Sequence, residues 1–179
     1  VSVLINFARF YATTKHAGQL YAGSLPYTHH LAAVEGQVRR WFPLYNDDRR
    51  YVYRTLEDVI AAAWLHDVRE DCGVKDKEVR ELFGHIVADL VEAVTNEAGE
   101  NRRIRHALTY PKTRKDDLAV FLKLCDRLAN LEQGGSLLDM YLKEHEDFRR
   151  ALYVPGLFDP MWEAIEEILA KVILDRAAV

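Results

Sequence analysis

The chain has 179 residues, of which 49% are hydrophobic and 29% charged, so it is long and apolar enough for one domain with a real core, and a disordered tail is excluded. Lys and Arg number 24 against 28 Asp and Glu, and the net charge of −4 argues against a dedicated nucleic-acid binder. Nine Gly and five Pro are too few for a turn-rich all-β domain, and two cysteines, Cys72 and Cys125, make no disulfide framework; they read as free thiols in a reducing cytoplasm.

Helical periodicity dominates from one end to the other. The start, Val1 to Ala17, is broken by Asn6, Arg9, Lys15 and His16, which excludes a signal peptide. Gly18, Gly23 and Pro26 interrupt the first helix, and a second is expected over Leu31 to Phe42. Pro43 to Arg50 reads as a polar connector. Val59 to Leu65 is so uniformly apolar that its helix should be buried on most sides; Cys72-Gly73-Val74 should end it. Phe83, Val87, Leu90, Val91 and Val94 form the next apolar face, and Gly99 and Pro111 mark breaks. Leu118, Phe121, Leu122, Cys125, Leu128, Ala129 and Leu131 repeat the pattern up to Gly134-Gly135. Pro155 and Pro160 bracket the last connection, and Met161, Ile165, Ile168, Leu169, Val172 and Ile173 build a final stripe. No alternating run competes, no stretch approaches the roughly 20 apolar residues that span a bilayer, and nothing splits the chain. The expectation is an all-α single domain over 1–179 with roughly seven to nine helices.

Chemistry concentrates in three places. His66-Asp67-Val68-Arg69-Glu70-Asp71 follows directly on the apolar run. On a continuous helix, residues three and four apart share a face, so His66, Asp67, Glu70 and Asp71 should fall together while Arg69 points elsewhere. Three carboxylates beside a buried run are costly without a cation, and a divalent metal would relieve the cost; a solvated helix end is the plainer alternative. Asp126 stands in the middle of an apolar helix with Asn130 one turn on, and neither Lys123 nor Arg127 shares its face. Pro26-Tyr27-Thr28-His29-His30 offers two adjacent histidines, and residue physics does not choose between them. One early His, the His66-Asp67 pair and Asp126 make a mixed N/O donor set that suits Mn, Fe, Zn or Co better than Ca.

These residues resemble the HD-type metal-dependent phosphohydrolases, with their His … His-Asp … Asp pattern. Over about Tyr11 to Leu131 the likeness narrows to the hydrolase domain of the RelA/SpoT family and its small stand-alone SpoT-homologue members. It is carried by Pro26-Tyr27-x-x-His30, His66-Asp67-x-x-Glu70-Asp71, Leu82-Phe83-Gly84, Val94-Thr95 and Lys123-Leu124-x-Asp126-Arg127-Leu128-x-Asn130-Leu131. The resemblance implies an all-α HD domain, with C-terminal helices over 136–175 completing it. It also implies a Mn²⁺-dependent 3′-pyrophosphohydrolase acting on guanosine tetra- or pentaphosphate. Carried over by position, His30, His66, Asp67 and Asp126 are the metal ligands, with His30 preferred to His29. Glu70 and Asp71 act on the attacking water, and Asn130 contacts the nucleoside. Tyr21 stands near a position where the family carries an Arg against the guanine, and its ring could stack on a base. Leu31 replaces a Pro and Glu132 a frequent Arg, so substrate-side positions depart while ligand positions stay intact. The expected partner is a small nucleotide, with no nucleic acid and no membrane, in the cytoplasm; the oligomeric state is left open. The length has no room for a synthetase or regulatory domain, which implies a monofunctional hydrolase unless the chain is an excised fragment. The alternatives are an HD enzyme for another nucleotide or dinucleotide phosphate, and a catalytically silent nucleotide sensor.

Overall fold

A computed structural model describes residues 2–45 and 54–177. Among them are nine α-helices: α1 (Val3–Lys15), α2 (Tyr27–Tyr45), α3 (Leu56–Leu65), α4 (Val68–Cys72), α5 (Asp76–Val94), α6 (Arg102–Thr113), α7 (Asp117–Gln133), α8 (Leu138–Leu152) and α9 (Asp159–Ala177). The all-α expectation holds, with one addition. Leu20–Tyr21 (β1) and Leu25–Pro26 (β2) pair antiparallel, in the register Leu20↔Pro26 and Tyr21↔Leu25. Two-residue strands are too short to show alternation. Their only sequence signal is the turn between them, where Ala22 and Gly23 both take positive φ, at 50° and 81°.

Helix α3 is the centre of the bundle. Thr55 and Asp58 form a reciprocal capping box at its start, and every residue from Val59 to Leu65 is buried. It packs against α1, α2, α5 and α7, and α9 closes over α7 with Met161, Trp162, Ile165 and Leu169. Such a helix has no solvent face, which is why its residues show no amphipathic stripe.

Several boundaries differ from expectation. Helix α2 begins at Tyr27, four residues before Leu31, and runs through Pro43 to Tyr45. Most of the Pro43–Arg50 connector lies outside the described residues. Pro111 does not break α6, which continues to Thr113 and is closed by Arg114 N–H donating to Tyr110 O at 2.9 Å. Proline removes one N–H and tolerates a last turn that is anchored elsewhere. Gly84 instead kinks α5, with φ 83° and ψ 170°, and Gly99 lies in the connection that follows it. Gly73 and Gly134 end α4 and α7 as expected. Among the described residues no helix is long and apolar enough to cross a membrane.

One buried carboxylate ties three helices together. Glu35 of α2 accepts from Arg9 Nε at 3.0 Å, Arg39 Nε at 2.8 Å and Trp64 Nε1 at 2.6 Å. Burial works against its charge, but the Arg9, Trp64 and Arg39 donors outweigh it and hold the pKa below the ordinary value. A depressed carboxylate adds stability above the ordinary carboxylate range and loses it as pH falls. Glu35→Ala is expected to cost about 2 kcal/mol by denaturant unfolding at pH 7, because Trp64 and Arg9 lose their acceptor. The difference from the unmutated chain should shrink below about pH 4.

Candidate metal centre

The expected continuous helix through His66 to Asp71 is interrupted. Helix α3 stops at Leu65, and Asp67 takes φ −102° and ψ −6°, a bridge conformation that turns the chain before α4. The Gly73 and Val74 N–H groups both return to Val68 O and terminate α4 after one short helix. The four residues differ in burial. His66 and Asp67 turn inward, whereas Glu70 and Asp71 are exposed, although Asp71 N–H still donates to Asp67 O at 2.9 Å. A uniformly helical path would have carried Glu70 to the same side as His66.

Three helices deliver the inward groups. His30 comes from α2, His66 and Asp67 from the end of α3, and Asp126 from the middle of α7. Of the adjacent histidines, His30 is buried and His29 is exposed, with its Nε2 3.2 Å from Gln133 Oε1. His30 Nε2 lies 3.3 Å from Asp126 Oδ1 and 3.7 Å from Asp67 Oδ2. His66 Nε2 lies 2.9 Å from Asp67 Oδ2 and 3.8 Å from Asp126 Oδ1. One donor atom each from His30, His66 and Asp126 falls within 4.8 Å of the others, and Asp67 stands beside both rings.

This arrangement fits a divalent ion. His66 Nδ1 sits 2.7 Å from Ala63 O, where only an N–H is favourable, so its Nε2 is free to offer a lone pair. That Nε2 is buried without an aligned hydrogen-bond partner, although Asp67 Oδ2 is 2.9 Å away. Close approach without alignment is what donor atoms converging on a common point produce. Without a cation the charges rest on each other. Burial alone would lower the His66 pKa, but Asp67 and then Asp126 raise it to about 9. Burial alone would raise Asp67 and Asp126. His66, His30 and Tyr27 bring Asp67 well below the carboxylate range, and His30 and His66 do the same for Asp126.

A second layer of hydrogen bonds aims the carboxylates. Tyr27 O–H donates to Asp67 Oδ2 at 2.5 Å. Asn130 Nδ2 donates to Asp126 Oδ1 at 2.6 Å and to Asp126 O at 2.9 Å, and Tyr21 O–H donates to Asn130 Oδ1 at 2.8 Å. The β1–β2 hairpin carries Tyr21 into this position, its ring stacked on His30 at 4.8 Å and 22°. Burial and then Asp126 and Asp67 push the Tyr21 pKa to about 12, and burial and Asp67 push Tyr27 higher still, so both phenols stay donors at neutral pH.

At the exposed side, Glu70 accepts from Asn96 N at 2.7 Å and from Asn96 Nδ2 at 2.8 Å, and Asp71 accepts from Gln19 Nε2 at 2.7 Å. Sequence reasoning assigned no role to Tyr27, Gln19 or Asn96. Tyr27 stands inside the Pro-Tyr-x-x-His motif and could have been found there; Asn96 and Gln19 follow loops and carry no periodic signal. Glu132 turns toward α2, accepting from Gln37 Nε2 at 2.6 Å and Arg40 Nη1 at 3.2 Å.

A family profile described as HD domain matches residues 8–139. The guanosine-3′,5′-bis(diphosphate) 3′-pyrophosphohydrolase of Spiroplasma citri is 34% identical over 134 residues, covering 71% of this chain and 16% of that protein. The probable enzyme of the same name from Synechocystis is 33% identical over 141 residues, covering 75% and 17%. The chain therefore spans about a sixth of the length of these curated relatives. A solved metazoan SpoT ortholog, described as hydrolysing ppGpp with a role in starvation responses, superposes with TM-score 0.74 at 25% identity and covers 96% of each chain. A Listeria monocytogenes EGD-e structure at 24% identity and TM-score 0.57 shares the fold, covering 79% of this chain and 99% of its own. HD domains depend on divalent metals.

Loss of an outer hydrogen bond should loosen an ion without removing a ligand. Tyr27→Phe is expected to weaken Mn²⁺ binding about tenfold by titration calorimetry, with helical circular dichroism unchanged. Equal affinity in the variant would show that the Tyr27–Asp67 bond does not orient a ligand.

Proposed function

The chain belongs to the HD-domain family, and on that premise we propose that it is a Mn²⁺-dependent (p)ppGpp 3′-pyrophosphohydrolase, converting (p)ppGpp to GDP or GTP and pyrophosphate. The observation that carries this reading is the buried convergence of His30, His66 and Asp126 with Asp67 beside them, in the stretch where the relatives bear that activity in their names. In this reading the four side chains hold the ion. When bound, a divalent ion supplies Lewis acidity toward a phosphoryl oxygen and lowers the pKa of a neighbouring water.

Glu70 is the general base. Asn96 holds both of its oxygens from the protein side, so its orientation is set before substrate arrives. It takes a proton from the attacking water while that oxygen bonds to phosphorus. The phosphorus–O3′ bond breaks, and the proton taken by Glu70 passes, directly or through solvent, to the leaving 3′-oxygen, which restores the carboxylate. Asp71, held by Gln19, supports the same water. Tyr21 and Asn130 border the nucleoside; they bond to each other in this structure, so contact through Asn130 requires that bond to open. Residues 1–179 act as one domain, since α9 packs on α7 and completes the core around the ligand helix. The acidic balance and the small nucleotide substrate fit a cytoplasmic enzyme.

A second reading is an HD phosphohydrolase for another nucleotide. Tyr21 stands in the region where a guanine-packing Arg is expected and is buried against His30, and Glu132 is paired with Arg40 and Gln37.

Purified chain with Mn²⁺ and ppGpp is expected to release pyrophosphate, to stop with EDTA and to recover with added Mn²⁺. Asp67→Ala should abolish turnover together with metal binding. Glu70→Gln should keep the metal and lower kcat by roughly 10²–10⁴-fold. Turnover of a different nucleotide with no pyrophosphate from ppGpp would install the second reading. Unchanged kcat in Glu70→Gln would remove Glu70 as the base.

A further inference from the structure

A groove between α6 and α8 shares no residue with the His–Asp cluster. Arg103, His106 and Tyr110 from α6 face Lys143, Glu144 and Asp147 from α8, around a cavity of about 540 Å³. Two alanines, Ala107 and Ala151, also line it, and their small side chains leave the space between the helices unfilled. A volume of this order accepts a ligand of nucleotide size.

The field in the groove is positive. His106 is buried at its base, and burial, followed by Arg102, Lys123, Arg127 and Arg105, brings its pKa down to about 3. Two carboxylates also line the groove. Glu144 Oε1 accepts from Arg102 Nε at 2.7 Å, and its Oε2 is buried without a hydrogen-bond partner. Asp147 pairs with Arg150 at 3.3 Å and stands 3.8 Å from Arg103, with both side chains of the latter pair exposed, so that pair is weak and leaves Arg103 available. Arg127 adds a buried cation behind the wall. It is 5% exposed, its guanidinium carbon lies 4.4 Å from the Tyr141 ring centroid and 4.1 Å from that of Phe148, and its Nη1 has no hydrogen-bond partner. The rings offset part of the charge, and an anion nearby would offset more. The other wall offers apolar surface: Tyr110 stacks on His106 at 5.0 Å and 30°.

We propose that the α6–α8 groove is a second ligand site that takes a phosphate-bearing anion, with phosphate oxygens held by Arg103, Lys143 and His106. The apolar wall of Tyr110 and Ala107 accommodates the organic part of a nucleotide, so a nucleoside diphosphate fits the whole groove and inorganic phosphate fits its charged end. The site does not depend on hydrolysis at the His–Asp cluster and can be tested apart from it.

The test is imidazole NMR on the full chain loaded with diamagnetic Mg²⁺, titrated separately with GDP, inorganic phosphate and pyrophosphate. The His106 resonances are expected to move, and the His106 pKa to rise from about 3 toward its ordinary value as negative charge arrives. A tighter response to GDP identifies a nucleotide as the ligand; equal responses to all three identify the phosphate group alone. The exposed pair Arg103→Glu with Lys143→Glu should weaken this binding at least tenfold. Lys143→Ala, a milder change, should weaken it severalfold with unchanged thermal unfolding. A response confined to His30 and His66, no response to any of the three, or equal affinity in both charge variants would overturn the proposal.

Discussion

Two carboxylates and two imidazoles meet in the interior of this protein, and that meeting constrains everything around it. Removing one charge from water costs several kcal/mol even after relaxation. Asp67 and Asp126 bear that cost because His30 and His66 stand within 4 Å of them. The balance requires α2, the end of α3 and α7 to keep fixed positions. The core supplies this: α3 is buried from Val59 to Leu65, and α2 and α7 both pack on it. The Glu35 carboxylate, bonded to Arg9, Arg39 and Trp64, ties α1, α2 and α3 together within two turns of His30.

The outer hydrogen bonds convert proximity into direction. Ala63 O selects the His66 tautomer, Tyr27 aims Asp67, and Asn130 aims Asp126 with Tyr21 behind it. All four of these partners are themselves buried or half-buried, so little rotamer freedom is left in the cluster. The short β1–β2 hairpin belongs to this layer: it is stabilised less by its own pairing than by the stacking of Tyr21 on His30. Glu70 and Asp71 are organised differently, at the exposed rim, each held by an amide side chain from another segment. In the proposed reading the buried set would hold the ion and the rim set would handle protons, a division suited to hydrolysis because the rim is open to water.

Helix class and most residues of the candidate site were legible in the chain. Apolar spacing located α5, α7 and α9, and uniform apolarity marked α3 as buried. The odd Asp126 inside an apolar stripe signalled a paired or ligating group, and it faces His30 as that reasoning requires. Arg127, the obvious neighbour for an ion pair, instead lies over Tyr141 and Phe148. What misled was continuity. Helical spacing placed His66, Asp67, Glu70 and Asp71 on one continuous helix, but the helix stops at Leu65 and restarts at Val68, with His66 and Asp67 inward and Glu70 and Asp71 exposed.

The amino-acid sequence by itself determined the all-α class, the His … His-Asp … Asp pattern and the slightly acidic net charge, because these depend on residue type and short-range period alone. Only the tertiary structure decided that His30 rather than His29 points inward, that Tyr21 and Asn130 bond to each other, that Asn96 holds Glu70, and that α6 and α8 leave a groove between them. Each of these joins atoms from separate helices or loops. Their positions follow from how the helices pack, and packing is a property of the whole core that no local pattern encodes.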